Sequence, residues 1–84
     1  MKYCAIVPCY RHASTLDSVL SRLAKYRLPV IVVDDGNDIE NATIIEQTVN
    51  SHNLANERVT LLKHEINQGK GGSVTTGLKY AYKA

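Results

Sequence analysis

Apolar residues along this chain fall into two alternating arrangements: short unbroken runs, and longer segments spaced for one face of a helix. Tyr3-Cys4-Ala5-Ile6-Val7 is the first run, stopped by Pro8, and it reads as a buried strand. Ser14-Thr15-Leu16-Asp17 has the spacing of a capping box, with Ser14 placed to accept from first-turn amides. Behind it Leu16, Val19, Leu20 and Leu23 stand at i, i+3, i+4 and i+7, the stripe of an amphipathic helix. Pro29 ends that helix, because the residue before a proline is pushed out of the helical region. Val30-Ile31-Val32-Val33 is the strongest strand signal, four β-branched residues in a row, and an unbroken run means that both faces are covered. Asp34-Asp35-Gly36-Asn37-Asp38 then brings turn chemistry. A second helix is predicted over 39–54, with Ala42, Ile45 and Val49 as its inner stripe and Ile44 beside them. Val59-Thr60-Leu61-Leu62-Lys63 reads as a third short strand. Asn67-Gln68-Gly69-Lys70-Gly71-Gly72 is a glycine-rich loop, followed by a third helical stripe at Val74, Leu78, Ala81 and Tyr82.

The order β-α-β-α-β-α, with helices of roughly 13–16 residues, predicts an α/β fold: a three-layer α/β/α arrangement around a parallel sheet with right-handed crossovers. With 44% apolar and 21% charged residues the chain is ordinary globular material. Its 84 residues would bury only about 60–65% of their unfolded surface, and three strands make a thin sheet. The expectation is therefore the amino-terminal part of a longer domain; the alternative is a complete three-stranded domain.

Charge and cysteine usage narrow the partners. The net charge of +2 comes from ten basic and eight acidic side chains scattered along the chain, which argues against nucleic acid as a partner. No run approaches the ~18 apolar residues of a membrane span, and no secretory leader is recognisable, so the cytoplasm is the expected location. Cys4 and Cys9 lie an odd number of residues apart, hence on opposite faces of a strand, and a disulfide between them is not expected. No metal-ligand spacing is present. His12, His52 and His64 are far apart and read as surface or loop imidazoles.

In an open parallel sheet ligands bind outside the carboxyl ends of the strands, so the residues after each strand are the candidates. They are Pro8-Cys9-Tyr10-Arg11-His12, Asp34-Asp35-Gly36-Asn37-Asp38 and the glycine-rich loop. The aspartates have two readings. A carboxylate at a strand end can accept from a base edge or ribose, or hold a divalent cation; equally, Asp34, Asp35 or Asp38 can cap the next helix. Gly36 suits a positive-φ turn in either case. Lys70 among glycines at a helix start could meet an anion. The loop is no Walker A motif, since Gly71 follows Lys70 where Ser or Thr is needed, and no dinucleotide fingerprint, since Val74 replaces the third glycine. Tyr10 is placed to stack on a base or simply to pack.

Together these segments resemble the amino-terminal half of a family 2 glycosyltransferase of GT-A fold. The resemblance rests on Ile6-Val7-Pro8-Cys9-Tyr10, on Val32-Val33-Asp34-Asp35-Gly36 and on Asn67-Gln68-Gly69-Lys70-Gly71-Gly72, in that order and spacing over essentially the whole chain. Within the family it looks nearest to the branch of dolichyl-phosphate sugar synthases. The resemblance implies a UDP- or GDP-sugar donor. It places Pro8 and Tyr10 in a nucleoside pocket, Asp35 on the base, Asp34 and Gly36 in the supporting loop, and Lys70 near the ribose or phosphates. Two positions depart from the family pattern: Arg11 stands where Asn is usual, and Asn37, still able to cap the next helix, where Ser is usual.

The resemblance further implies a divalent cation, Mg²⁺ or Mn²⁺, for the full-length parent, held by an Asp-x-Asp segment expected beyond Ala84. Residues 1–84 are accordingly expected to be a truncated nucleotide-sugar-binding domain with no catalytic or metal residue of its own and no transferase activity. The acceptor is expected to be a polyprenyl phosphate or other lipid, the parent membrane-associated on the cytoplasmic face, and the setting cell-envelope glycan synthesis. The alternative is a non-catalytic nucleotide-binding or scaffold α/β module. A receiver-like domain is disfavoured because Pro8-Cys9 and Asn67-Gln68 stand where its acidic residues belong. If the strand order is 3-2-1, the first strand is an open edge, and self-association through it is expected.

Overall fold

The four β-branched residues at 30–33 lie at the centre of the sheet, and everything else is arranged on their two faces. The computed structural model describes residues 3–11 and 13–83. Strand β1 (Ala5–Cys9) leads through a single 3-10 turn (Ala13–Thr15) to helix α1 (Leu16–Ala24); then follow β2 (Val30–Asp35), α2 (Ile39–Leu54), β3 (Val59–His64) and α3 (Gly69–Lys83). The strands are parallel in the order β1-β2-β3, with Val7 opposite Val32 and Val32 opposite Leu61. This is the expected α/β/α arrangement, and β1 and β3 are the two edges of the sheet.

Side-chain alternation divides the sheet. Ala5, Val7 and Cys9, Val30 and Val32, and Val59 and Leu61 pack with Ala13, Leu16, Leu20, Leu23, Ile44, Ile45 and Val49 in a core beneath α1 and α2. The opposite phase, which includes Ile6, Ile31 and Val33, lies under α3. Every residue of β2 is buried, including its two carboxyl-terminal aspartates.

Several expectations need correction. Helix α1 has nine residues rather than at least thirteen, and Ser14 does not cap it: Ser14 sits inside the 3-10 turn and Thr15 occupies the cap position. Strands β2 and β3 run to Asp35 and His64, each beyond the segment that announced it. The glycine-rich segment is helical from Gly69, so Gly69-Lys70-Gly71-Gly72 form the opening of α3 and not a free loop.

The inner face of α3 is also displaced by one residue. Ser73 and Gly77 are buried, whereas Leu78 and Tyr82 are 57% and 93% exposed. Small residues let the helix lie close to β1: a Cβ on Gly77 would fall 2.6 Å from Ile6 Cγ2, well inside contact distance. Leu78 and Tyr82 overhang the sheet edge, where with Tyr3, Cys4, Ile6, Leu28 and Ala81 they line an apolar groove of about 490 Å³.

His52 is no surface imidazole. It is 7% exposed on α2, with Nε2 2.7 Å from Asp17 Oδ1 of α1 and Nδ1 2.8 Å from Glu57 Oε1 before β3. A neutral imidazole has one N–H and satisfies one carboxylate; the imidazolium satisfies both. Burial alone would lower the His52 pKa, but hydrogen bonds to Glu57 and Asp17 and their charges outweigh it and raise the value above 6.5. His12, the third histidine, lies outside the described residues.

A folded-state pKa raised above the unfolded one gives stability that is full below about pH 6.5 and is lost as pH rises through the folded value. The urea midpoint of the chain is expected to fall between pH 6 and pH 8.5, and His52→Gln to flatten that slope. An unchanged slope in the variant would remove His52 as its source.

Candidate functional site

Alternation along β2 sends its two aspartates to opposite faces, and that decides what each can do. Asp34 turns to the α1/α2 side and is 3% exposed. Its Oδ1 accepts from Asn37 Nδ2 at 2.6 Å and from Asn37 N–H at 3.2 Å. The same Asn37 amide donates to the Cys9 carbonyl at 2.7 Å, and Asn37 Oδ1 accepts from Arg11 N–H at 2.8 Å. Asn37 therefore fastens the loop after β1 to the loop after β2. It does not cap α2, as its sequence position had suggested. Asp38 does, accepting from Asn41 N–H at 2.8 Å, and the bonds from Asn41 hold the Asp38 carboxyl below its ordinary pKa. Near Asp34, burial and then the aspartate's charge push the Cys9 thiol up to about 11, so it is inert at neutral pH.

Asp35 turns to the α3 side. Its Oδ1 accepts from Gln68 N–H at 2.7 Å and pairs with His64 Nδ1 at 2.9 Å. His64 Nε2 in turn lies 2.7 Å from Thr76 Oγ1 on α3. Burial would raise the Asp35 pKa; the hydrogen bonds from His64 and Gln68, with the His64 charge and the nearby Ser73 hydroxyl, outweigh it and hold the carboxyl below its ordinary value. Ser73 Oγ is itself buried without meeting a partner in hydrogen-bond geometry.

The loop after β3 is drawn onto the same point. Asn67 Nδ2 donates to the Asp35 carbonyl at 3.2 Å, and Asn67 Oδ1 accepts from Gly69 N–H at 3.1 Å. Gly36 makes that approach possible. Its φ is +71°, and a Cβ there would fall 2.4 Å from Asn67 N and 2.8 Å from Ile66 C. Both conditions demand glycine.

Pro8, Tyr10, Asp35, Asn67, Gly69 and Lys70 line one cavity of about 560 Å³ at the carboxyl ends of the strands. Four of the six residues expected from the sequence thus converge: Pro8, Tyr10, Asp35 and Lys70. Asp34 faces the other side of the sheet, and Gly36 lines an adjoining hollow of about 300 Å³ with Tyr10, Arg11, Asn37, Asp38 and Asn41. Arg11, in the left-handed region at φ +61°, lies over the Tyr10 ring at 4.9 Å from its centroid. Tyr10 is the wall between the two hollows.

His64 is the residue that sequence reasoning missed, and the bridging roles of Asn37 and Asn67 within the candidate loops went unassigned. His64 had a usable signal. Once β3 continues one residue past Lys63, parallel register sets His64 directly across from Asp35. Nothing in local sequence marks Asn37 as a bridge between two loops 28 residues apart. Among the described residues no cluster of three His, Cys, Asp or Glu side chains could hold a metal ion, and no helix is long and apolar enough to cross a membrane.

Gly36→Ala is expected to cost on the order of 3 kcal/mol from backbone strain and the clash with Asn67 together. Equilibrium unfolding checks this, and a variant as stable as the parent would show that the two loops do not need their close contact.

The model of the family described as Glycosyl transferase family 2 matches residues 4–83. A UDP-N-acetylglucosamine–dolichyl-phosphate N-acetylglucosaminyltransferase of Methanococcus voltae is 32% identical over an 87-residue alignment, taking in 93% of this chain and 35% of the relative. An uncharacterized protein of Methanocaldococcus jannaschii is 32% identical over 77 residues, 92% of this chain and 32% of that one. Among solved structures, the mannosyltransferase PcManGT from Pyrobaculum calidifontis, in complex with GDP-Man and Mn²⁺, matches with a TM-score of 0.75 at 23% identity, over 92% of this chain and 23% of that one. The likeness to the mannosyltransferase is one of fold. The chain spans about a third of the length of the curated relatives it matches.

Proposed function

This chain belongs to glycosyl transferase family 2, and from that premise we propose that it is the nucleotide-recognising part of an enzyme that moves a sugar from a UDP- or GDP-sugar to an acceptor. The observation that carries the reading is the single cavity into which Pro8, Tyr10, Asp35 and Lys70 converge from the ends of β1 and β2 and the start of α3. Its groups suit the three chemical parts of a nucleotide. Tyr10 offers a ring face for a base, Asp35 a carboxylate for a base or ribose donor, and Lys70, at the opening of α3, a positive charge for phosphate. Asp34 and Gly36 act behind the wall, fastening and spacing the loops.

The activities of the relatives support the donor and acceptor classes. One acts with UDP-N-acetylglucosamine and dolichyl phosphate, and the solved mannosyltransferase holds GDP-mannose. A polyprenyl phosphate or similar lipid acceptor fits the reading, and with it a site of action at the cytoplasmic face of a membrane.

Sugar transfer also needs positive charge on the departing diphosphate and a base for the acceptor hydroxyl. The mannosyltransferase contains Mn²⁺, but the residues here do not fit a divalent cation: Asp34 and Asp35 point to opposite faces of the sheet, and among the described residues no cluster of three His, Cys, Asp or Glu side chains could hold one. The reading assigns the cation, Mg²⁺ or Mn²⁺, and the base to residues outside this sequence, so these 84 residues bind nucleotide without turning a donor over. The non-catalytic scaffold remains the competing reading, and it predicts no nucleotide binding.

Calorimetric titration with UDP and GDP tests this. Asp35→Ala, confirmed folded by circular dichroism, is expected to weaken binding about tenfold or more. Lys70→Ala, on an exposed side chain, should weaken the diphosphate relative to the free nucleoside. Binding unaffected by both substitutions would sink the proposal.

Self-association is part of the same reading, supported by the open edge of β1 and the apolar groove beside it. Sedimentation is expected to show dimers or larger species; a clean monomer at high concentration would contradict it.

A further inference from the structure

The way Asp35 is held separates the two donor classes. A carboxylate has two oxygens and about four lone-pair sites. On Asp35, Oδ1 already receives Gln68 N–H at 2.7 Å and His64 Nδ1 at 2.9 Å, which fills both of its sites. His64 is not free to swing away, because Nε2 is engaged by Thr76 Oγ1 and the Thr76 hydroxyl is anchored on the Gly72 carbonyl at 3.0 Å. The oxygen left for a ligand is Oδ2. Asp35 lines the cavity while its side chain is only 3% exposed, and the nearby Ser73 hydroxyl also acts on the carboxylate. The cavity is thus offered one acceptor atom of this carboxylate rather than two.

The two bases ask for different things at that point. Guanine presents two neighbouring donors, its ring N1–H and its exocyclic amine, and pairs best with both oxygens of a carboxylate side by side. Uracil presents a single imide N–H between two carbonyl oxygens, and needs one acceptor with a donor close by. Asn67, on the same cavity wall, supplies such a donor: its amide spends one N–H on the Asp35 carbonyl at 3.2 Å and has a second. We infer that the cavity selects a uridine nucleotide over a guanosine nucleotide, because Asp35 offers one free oxygen beside the Asn67 amide. This rests on the nucleotide reading above and narrows it. His64 is a positioning residue in the selection: it touches no ligand and acts by keeping Oδ1 occupied.

Ligands, rather than variants, give the cleanest test, since the fold is left untouched. The chain is titrated by calorimetry with UDP, GDP, CDP and 3-methyl-UDP. UDP is expected to bind about tenfold or more tightly than each of the other three, since CDP and 3-methyl-UDP lack the imide N–H. A smaller ratio of UDP to GDP overturns the inference; if that binding is still weakened by Asp35→Ala, the nucleotide reading stands without it. CDP or 3-methyl-UDP matching UDP overturns it too: 3-methyl-UDP has no donor on that edge, and cytosine donates only from its exocyclic amine, beside a ring nitrogen that accepts where uracil has its imide N–H. Binding of none of the four by a folded chain overturns the nucleotide reading and this inference together.

Discussion

Burying an ionised carboxylate at the end of a central strand costs several kcal/mol unless donors replace the water it loses. Asp35 meets that condition with one donor from each of two elements: the His64 ring from the neighbouring strand and the Gln68 amide from the loop that opens α3. The bonds are charge-assisted, and so are stronger than neutral ones. Because they come from β3 and its following loop, the same interaction that keeps Asp35 ionised also brings the glycine-rich segment, and Lys70 with it, over the end of the sheet. Gly36 allows the contact by having no Cβ where Asn67 passes.

The opposite face of the strand holds the complementary constraint. Asp34, one residue earlier and pointing the other way, receives the Asn37 amide, which also reaches the Cys9 carbonyl and the Arg11 amide. The first loop is thereby tied to the second on one side of β2, while the third is tied to it on the other. Two adjacent aspartates can do this only because a strand alternates its side chains; in a helix they would lie about 100° apart, on overlapping faces. Asp38 then has the separate task of capping α2.

Much of the fold was legible because its signals are periodic. The run at 30–33 demanded a strand covered on both sides, and it is the buried centre of the sheet. The second helix was bounded at both ends by turn chemistry and a spaced apolar face, and it occupies the expected residues. What misled was chemistry that depends on a neighbour distant in sequence. The phase of α3 follows from how close the helix can approach Ile6, so small residues face inward and Leu78 and Tyr82 do not. His52 and His64 looked like ordinary loop imidazoles because the carboxylates that hold them, Asp17 and Asp35, are 35 and 29 residues away. At the site, the residue types after each strand were readable from their position. The division of labour between Asp34 and Asp35, and the bridging by Asn37 and Asn67, became visible only with the strands in register.

The seat of α3 has a mechanical corollary. Lys70 and Gly77 are seven residues apart on one helix, about two turns or roughly 10 Å along its axis. A helix of that length behaves as a stiff rod, and this one is notched against Ile6 at Gly77 and latched to His64 through Thr76. The Lys70 backbone is therefore located by the fit of the rod two turns away more than by the short loop before it. A substituent that lifted the helix off β1 at its middle would tilt the cationic end, altering the cavity's reach without touching a single residue of its lining.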